Sequence, residues 1–256
     1  MFKCIIAIKP FITILNMVET VNYTAVFKAT NNGLACRMKN NNYKEMVDIM
    51  LPREAFIQYE HNGTDTIFAF RPAEVLRFFS EINDDHIELY TDGNIVNIKY
   101  ETTSKTLDFT TISVSNVDTD INVPDFKPIV RLLIRRELLL DAIERVGIER
   151  YFKLTIDSNR LGFRQVSVDR LNTYSIFYKY GKDISMKMFT EVMTVIEAYH
   201  DVLTLVPILK AVPDCNYVML YSDKDGNLRL EFLLQFKCNV NYYIQSVQQL
   251  TAKDNH

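Results

Sequence analysis

The chain has 256 residues, 48% of them hydrophobic, enough apolar material to bury a sizeable core in one large or two modest domains. Its formal charge of -3 gives no net electrostatic reason to bind nucleic acid, and no uninterrupted apolar run reaches the length of a membrane span. Four scattered cysteines (Cys4, Cys36, Cys215, Cys238) form no CxxC pair and show no disulfide-like density, which fits a reducing compartment.

In chain order, strand-like FKCIIAI at 2–8 comes first, and the absence of a small-residue cleavage site after it argues against a secretory signal. Phe11, Ile14, Leu15 and Val18 then stand at i, i+3, i+4 and i+7, the spacing of one apolar helical stripe. TIFAF at 66–70 leads into a second such stripe, Val75, Phe78, Phe79 and Ile82. The segment HIELYTDGNIVNIKY at 86–100 alternates apolar and polar residues around Asp-Gly-Asn, a hairpin buried on one face. Residues 116–128 break every period and carry three Asp and two Pro, as a linker does.

Beyond the linker the same template returns. IVRLLI at 129–134 precedes a helix with the stripe Leu139, Ala142, Ile143 and Val146. A fourth stripe, Val202, Leu205, Val206 and Leu209, contains Pro207, which should bend or shorten its helix. YVMLYSDKDGNLRLEF at 217–232 repeats the hairpin; its Asp223-Lys224-Asp225-Gly226 lacks the remaining ligands of a calcium loop and reads as a turn. The chain is therefore an α+β protein of two similar halves, each with antiparallel strands and two helices gathered on one side of a sheet. The expected boundaries are 1–115, a connecting loop at 116–128, and 129–256.

Enzyme chemistry finds no support. None of the seven glycines forms GxGxxG or a GK[ST] loop. His61, His86, His200 and His256 are isolated from one another and from Cys, and read as partly exposed surface residues. Asp84-Asp85 fits a turn, and no local Cys–His pair stands out. No catalytic residue, metal ligand or cofactor is expected.

Over nearly its whole length the sequence resembles the sliding-clamp family of proliferating cell nuclear antigen. The resemblance rests on Met1-Phe2 opening into a strand, Gly33 with LACRM, MVDIMLPREAF at 46–56 and the hairpin at 86–100. It continues through Val123-Pro124 in the linker, Arg145-Val146-Gly147, LRLEFLLQF and Asn241-Tyr242-Tyr243-Ile244. What the resemblance implies is a DNA clamp fold, three copies closing head to tail into a ring around duplex DNA with helices lining the hole. A clamp loader would open it, and it would tether a DNA polymerase and other replication and repair proteins carrying short hydrophobic and aromatic motifs. It would be neither an enzyme nor a membrane protein, and it would work in a nucleus or a viral replication compartment.

By the same resemblance, Lys9, Arg71, Arg77, Arg136, Arg145 and Lys210 would meet phosphates, whose neutralisation gives sequence-independent affinity. Met38, Met46, Ile121, Val123 and Tyr243 would form the partner pocket beneath the linker. Phe109, Ile112 and Val114 of one subunit would lie against Tyr174, Ile176 and Tyr178 of the next, and a proline at Ile176 should remove a ladder donor. Two departures stand out: the helix faces mix acids with bases, and Gln245-Ser246 replaces the small-Pro step after the final tyrosines. These keep a second reading open, a clamp-fold interaction or checkpoint-type protein with weak DNA contact and no homotrimeric ring.

Overall fold

The computed structural model describes residues 2–80, 86–92, 95–101, 106–112, 121–166, 173–181, 185–190, 194–234 and 236–247. It divides into two compact units, residues 1–123 with 234–240, and residues 124–233 with 241–256.

The first unit opens with β1 (Phe2–Ala7), which runs straight into α1 (Ile8–Glu19). Pro10 lies in the first turn of that helix, where a missing N–H costs nothing. Phe11, Ile14, Leu15 and Val18 are all fully buried, as their spacing demands. Then follow β2 (Ala25–Thr30), β3 (Gly33–Lys39), β4 (Glu45–Pro52), β5 (Gln58–His61) and β6 (Thr66–Phe70). Helix α2 (Pro72–Phe79) starts with proline at its first position and leads to β7 (His86–Asp92), β8 (Ile95–Glu101) and β9 (Thr106–Ile112).

These strands form two antiparallel arrays, β5-β1-β7-β8-β9 and β4-β3-β2-β6. The arrays meet through Phe2 and Phe68, whose ring centroids are 6.1 Å apart. Phe11 of α1 sits 6.1 Å from Phe27 of β2 and 5.9 Å from Phe79 of α2, so the two helices pack side by side. Aromatic pairs of this geometry add to the area they bury.

The second unit writes the same order again. It comprises β10 (Val130–Arg135), α3 (Arg136–Val146), β11 (Tyr151–Ile156), β12 (Arg160–Gln165), β13 (Ser175–Lys179), β14 (Met186–Met188), β15 (Ile196–Asp201), α4 (Val202–Lys210), β16 (Tyr217–Ser222), β17 (Leu228–Phe232) and β18 (Asn239–Ile244). Its arrays are β14-β10-β16-β17-β18, the last strand pairing with β17 through 241–244, and β13-β12-β11-β15. Strand for strand this is the arrangement of the first unit, a helix following the first and sixth strands of each. All four stripe residues of α3 are buried.

Two sequence readings need correction. In α4 the buried residues are Leu205, Ile208 and Leu209, while Val202 and Val206 are only half-buried. The helix starts at Val202, capped by Asp201 accepting from the Leu203 amide at 2.8 Å, and Pro207 lies on its exposed side. Ile82 lies outside the described residues. His200 is fully buried against Phe152, ring centroids 5.9 Å apart, rather than on the surface. Burial lowers its pKa to about 4, opposed only by the Gly226 backbone, so the ring is neutral at ordinary pH. The hairpin at 217–232 turns as expected: Gly226 has φ +77, and the Asp223 carboxylate accepts from the Asp225 and Asn227 amides. That carboxylate organises the turn and does not await a cation.

Candidate functional site

The six expected phosphate contacts separate into three kinds. Lys9 on α1 and Arg77 in the last turn of α2 are exposed and form no ion pair among the described residues. Arg71 lies 3.4 Å from Glu74, Arg145 2.8 Å from Asp141, and Lys210 of α4 2.7 Å from Glu144 of α3. Asp141, and then Tyr174, hold the Arg145 guanidinium charged, raising its pKa. Such exposed pairs contribute little to stability, but each lowers the field available to a phosphate.

Arg136 is a different case and corrects the expectation. It is 9% exposed, and its guanidinium donates to the Cys215 carbonyl at 2.9 Å, the Leu209 carbonyl at 3.1 Å and the Pro213 carbonyl at 3.4 Å. Two of these acceptors lie in the segment that follows α4 and the third in its last turn, where carbonyls lack helical partners and a cation is favoured. Arg136 ties α3 to the end of α4, and its burial with three of its five N–H donors on carbonyls assigns it a structural role.

The linker is anchored on β3. Arg37 Nη1 donates to the Ile121 carbonyl at 3.0 Å, while Arg37 Nε pairs with Asp48 at 2.9 Å. Ladder register fixes what lies under it: Lys39 pairs with Met46 and Met38 with Val47, so the two methionines point to opposite faces. Met46 is buried on the face of Arg37 and Asp48, the linker side. Met38 is buried on the core face with Leu34, Cys36, Ile49 and Val47, which removes it from the expected pocket. Ile121 is half-buried and Val123 is 37% exposed. Tyr243, in the second unit, meets Phe126 edge-on at 6.1 Å, a contact that the sequence did not single out.

The expected assembly strands are edges. Among the described residues β9 pairs only with β8, and β13 only with β12. Phe109 of β9 is half-buried, 6.0 Å from Phe78 of α2. Ile112 ends β9, and Val114 lies outside the described residues. On β13, Ile176 and Tyr178 are half-buried and Tyr178 meets Phe163 at 6.2 Å, while Tyr174 is exposed just before the strand. Phe177 on the other face covers Gly162, where a Cβ would come within 2.6 Å of its ring, and the Arg160 guanidinium lies 4.4 Å from the ring centroid.

The ladder pattern also corrects the proline expectation. The Gln165 amide donates to the Tyr174 carbonyl and the Tyr180 amide to the Asn159 carbonyl. Antiparallel pairs alternate, so the Ile176 amide points inward at Phe163 and the amides of Ser175, Phe177 and Lys179 point to the open edge. Proline at Ile176 would therefore damage the subunit itself.

Elsewhere the chemistry is quiet. No group of three or more His, Cys, Asp or Glu that could hold a metal ion occurs among the described residues. Burial raises the thiol pKa of Cys4, Cys36 and Cys215, and pushes Cys238 up to about 12, so these thiols stay protonated and weakly nucleophilic. No described helix is long and apolar enough to cross a membrane.

No family model and no curated protein sequence matches the chain. Among solved structures, the crystal structure of PCNA from Thermococcus kodakaraensis matches with a TM-score of 0.84 at 17% identity, covering 96% of this chain and 100% of that one. The fold is that of a sliding clamp: two similar domains of antiparallel sheets with two helices each.

Proposed function

We propose that the chain is a DNA sliding clamp, three copies of which close head to tail through β9 and β13 and hold a DNA polymerase, and other replication and repair proteins, on duplex DNA. The observation that carries this reading is the pair of open edges on a duplicated fold. An edge such as β13, with Ile176, Phe177 and Tyr178 and no proline, is a template for another strand unless it is covered. A matching edge on β9, in the other unit, supplies the complementary half of a heterologous contact, which closes into a ring when its rotation allows. Neutralised phosphates, a loader and a reducing intracellular compartment such as a nucleus or viral factory belong to the same reading.

The test is solution mass. The wild type should scatter light as three subunit masses, and Ser175→Pro, which places the ring where an outward amide was, should give a folded single subunit. A variant that kept the wild-type mass would remove β13 from the interface. One observation favours the second reading, a clamp-fold interaction protein that meets DNA weakly: of the six expected cations, three are ion-paired and one is buried. Its signature would be a wild-type monomer that is not retained on nicked circular DNA after loading.

A further inference from the structure

The outward face of the five-stranded array in the second unit carries a row of which the expected linker pocket claims Tyr243 alone. Register places Arg131 opposite Tyr221, Tyr221 opposite Arg229, and Arg229 opposite Tyr243, so all four side chains share one face. The Arg229 guanidinium lies 3.9 Å from the Tyr221 ring centroid and 5.8 Å from that of Phe126; Arg131 lies 5.9 Å from Tyr221 and 5.3 Å from Phe189. Lys187 stands 5.0 Å from Phe189 at the end of the row. Cations and rings thus alternate across the strands.

Cations outnumber acids on this face. Arg131, Lys187 and Arg229 are joined by exposed Arg135, which pairs with Glu137 at 3.4 Å, and the acid within the row, Glu231, accepts from the Tyr221 hydroxyl at 2.7 Å. This occurs on a chain whose formal charge is -3. A guanidinium stacked on a ring spends its flat face on the ring and keeps its edge of N–H donors, the fork that fits a carboxylate. The Arg229 Nε–H, shielded from solvent, meets no acceptor among the described residues.

We propose that this row docks an acidic, extended peptide segment of a partner protein, with carboxylates on Arg131 and Arg229 and an apolar side chain on Phe189. Arg131 and Arg229 flank β16, so their backbones are two strand spacings apart, about 10 Å; glutamates at i and i+4 of an extended chain share one face about 13 Å apart, within reach of two long guanidinium side chains. Single-stranded nucleic acid fits less well, because it needs open ring faces for its bases. Tyr221 is 8% exposed between its two guanidinium neighbours, which leaves Phe189, at 47%, as the open platform in the row. The inference does not depend on ring closure.

The probe is a fluorescein-labelled octapeptide with glutamates four residues apart and a phenylalanine two residues beyond the glutamate that meets Arg131, all on one face of an extended chain, read by anisotropy against its glutamine analogue and an octathymidylate. The acidic peptide should bind at least about tenfold tighter than the analogue and weaken with added salt. Arg131→Gln with Arg229→Gln should lose that tenfold, and Arg131→Lys with Arg229→Lys should not restore it, since lysine has no planar fork. In the wild type, a photo-crosslinking phenylalanine in the same peptide should label residues within 186–190 or 126–135. Equal binding of the glutamine analogue, equal binding by the double variant, tighter binding of octathymidylate, label elsewhere, or no binding of the acidic peptide would each overturn the proposal.

Discussion

Replacing Arg136 separates a structural cation from a DNA contact. The three carbonyls it serves belong to Leu209, Pro213 and Cys215, and its own side chain is buried. Hydrogen bonds to a charged group contribute about 1.5–3 kcal/mol each, but removing the arginine also relieves the cost of burying its charge, so the sum overstates the loss. A net destabilisation of about 3 kcal/mol for Arg136→Ala is the balanced expectation, equivalent to a fall of roughly 10 °C in Tm for a chain of this size. Arg136→Lys should recover less than half, because one ammonium cannot reach three divergent carbonyls. Thermal melting followed by circular dichroism measures this, with Arg77→Ala as an exposed control expected to stay within about 0.5 kcal/mol of wild type. Should Arg136→Ala melt like wild type yet lose retention on DNA, the arginine would be a phosphate ligand and the argument from its carbonyl partners would fail.

Two further outcomes follow from charge. His200 has its pKa lowered to about 4 in the folded chain against 6.5 for an unperturbed imidazole, so its contribution is complete above pH 6.5 and is lost as pH falls toward 4. Urea unfolding across that window should show wild type losing up to about 3 kcal/mol more than His200→Leu; parallel curves would refute a buried neutral ring. On the helices, Arg77→Glu should shorten retention on loaded circular DNA more than Arg145→Glu, because Asp141 already occupies Arg145; the reverse order would show that the ion pair opens for phosphate.

The duplication was legible because it is written in periods that local chemistry enforces. Phe11, Ile14, Leu15 and Val18, and likewise Leu139, Ala142, Ile143 and Val146, are buried as spaced. What escaped was set by partners remote in sequence. Arg136 begins a helix and looks solvent-facing until residues more than seventy positions on bring their carbonyls to it. Met38 and Met46 look alike until register puts them on opposite faces, although the adjacent Val47 could have signalled the parity. Alternation also failed to announce the row on the second unit, since its members come from five different strands and each looks like an ordinary outward residue. Register joins the two sides of that sheet. Leu132, Leu220, Leu230 and Tyr242 pair across the strands one position away from Arg131, Tyr221, Arg229 and Tyr243, and all four are buried. A one-residue slip of β16 would expose Leu220 and bury an arginine neighbour, so the burial that selects the fold also sets the guanidinium and ring order on its outer face.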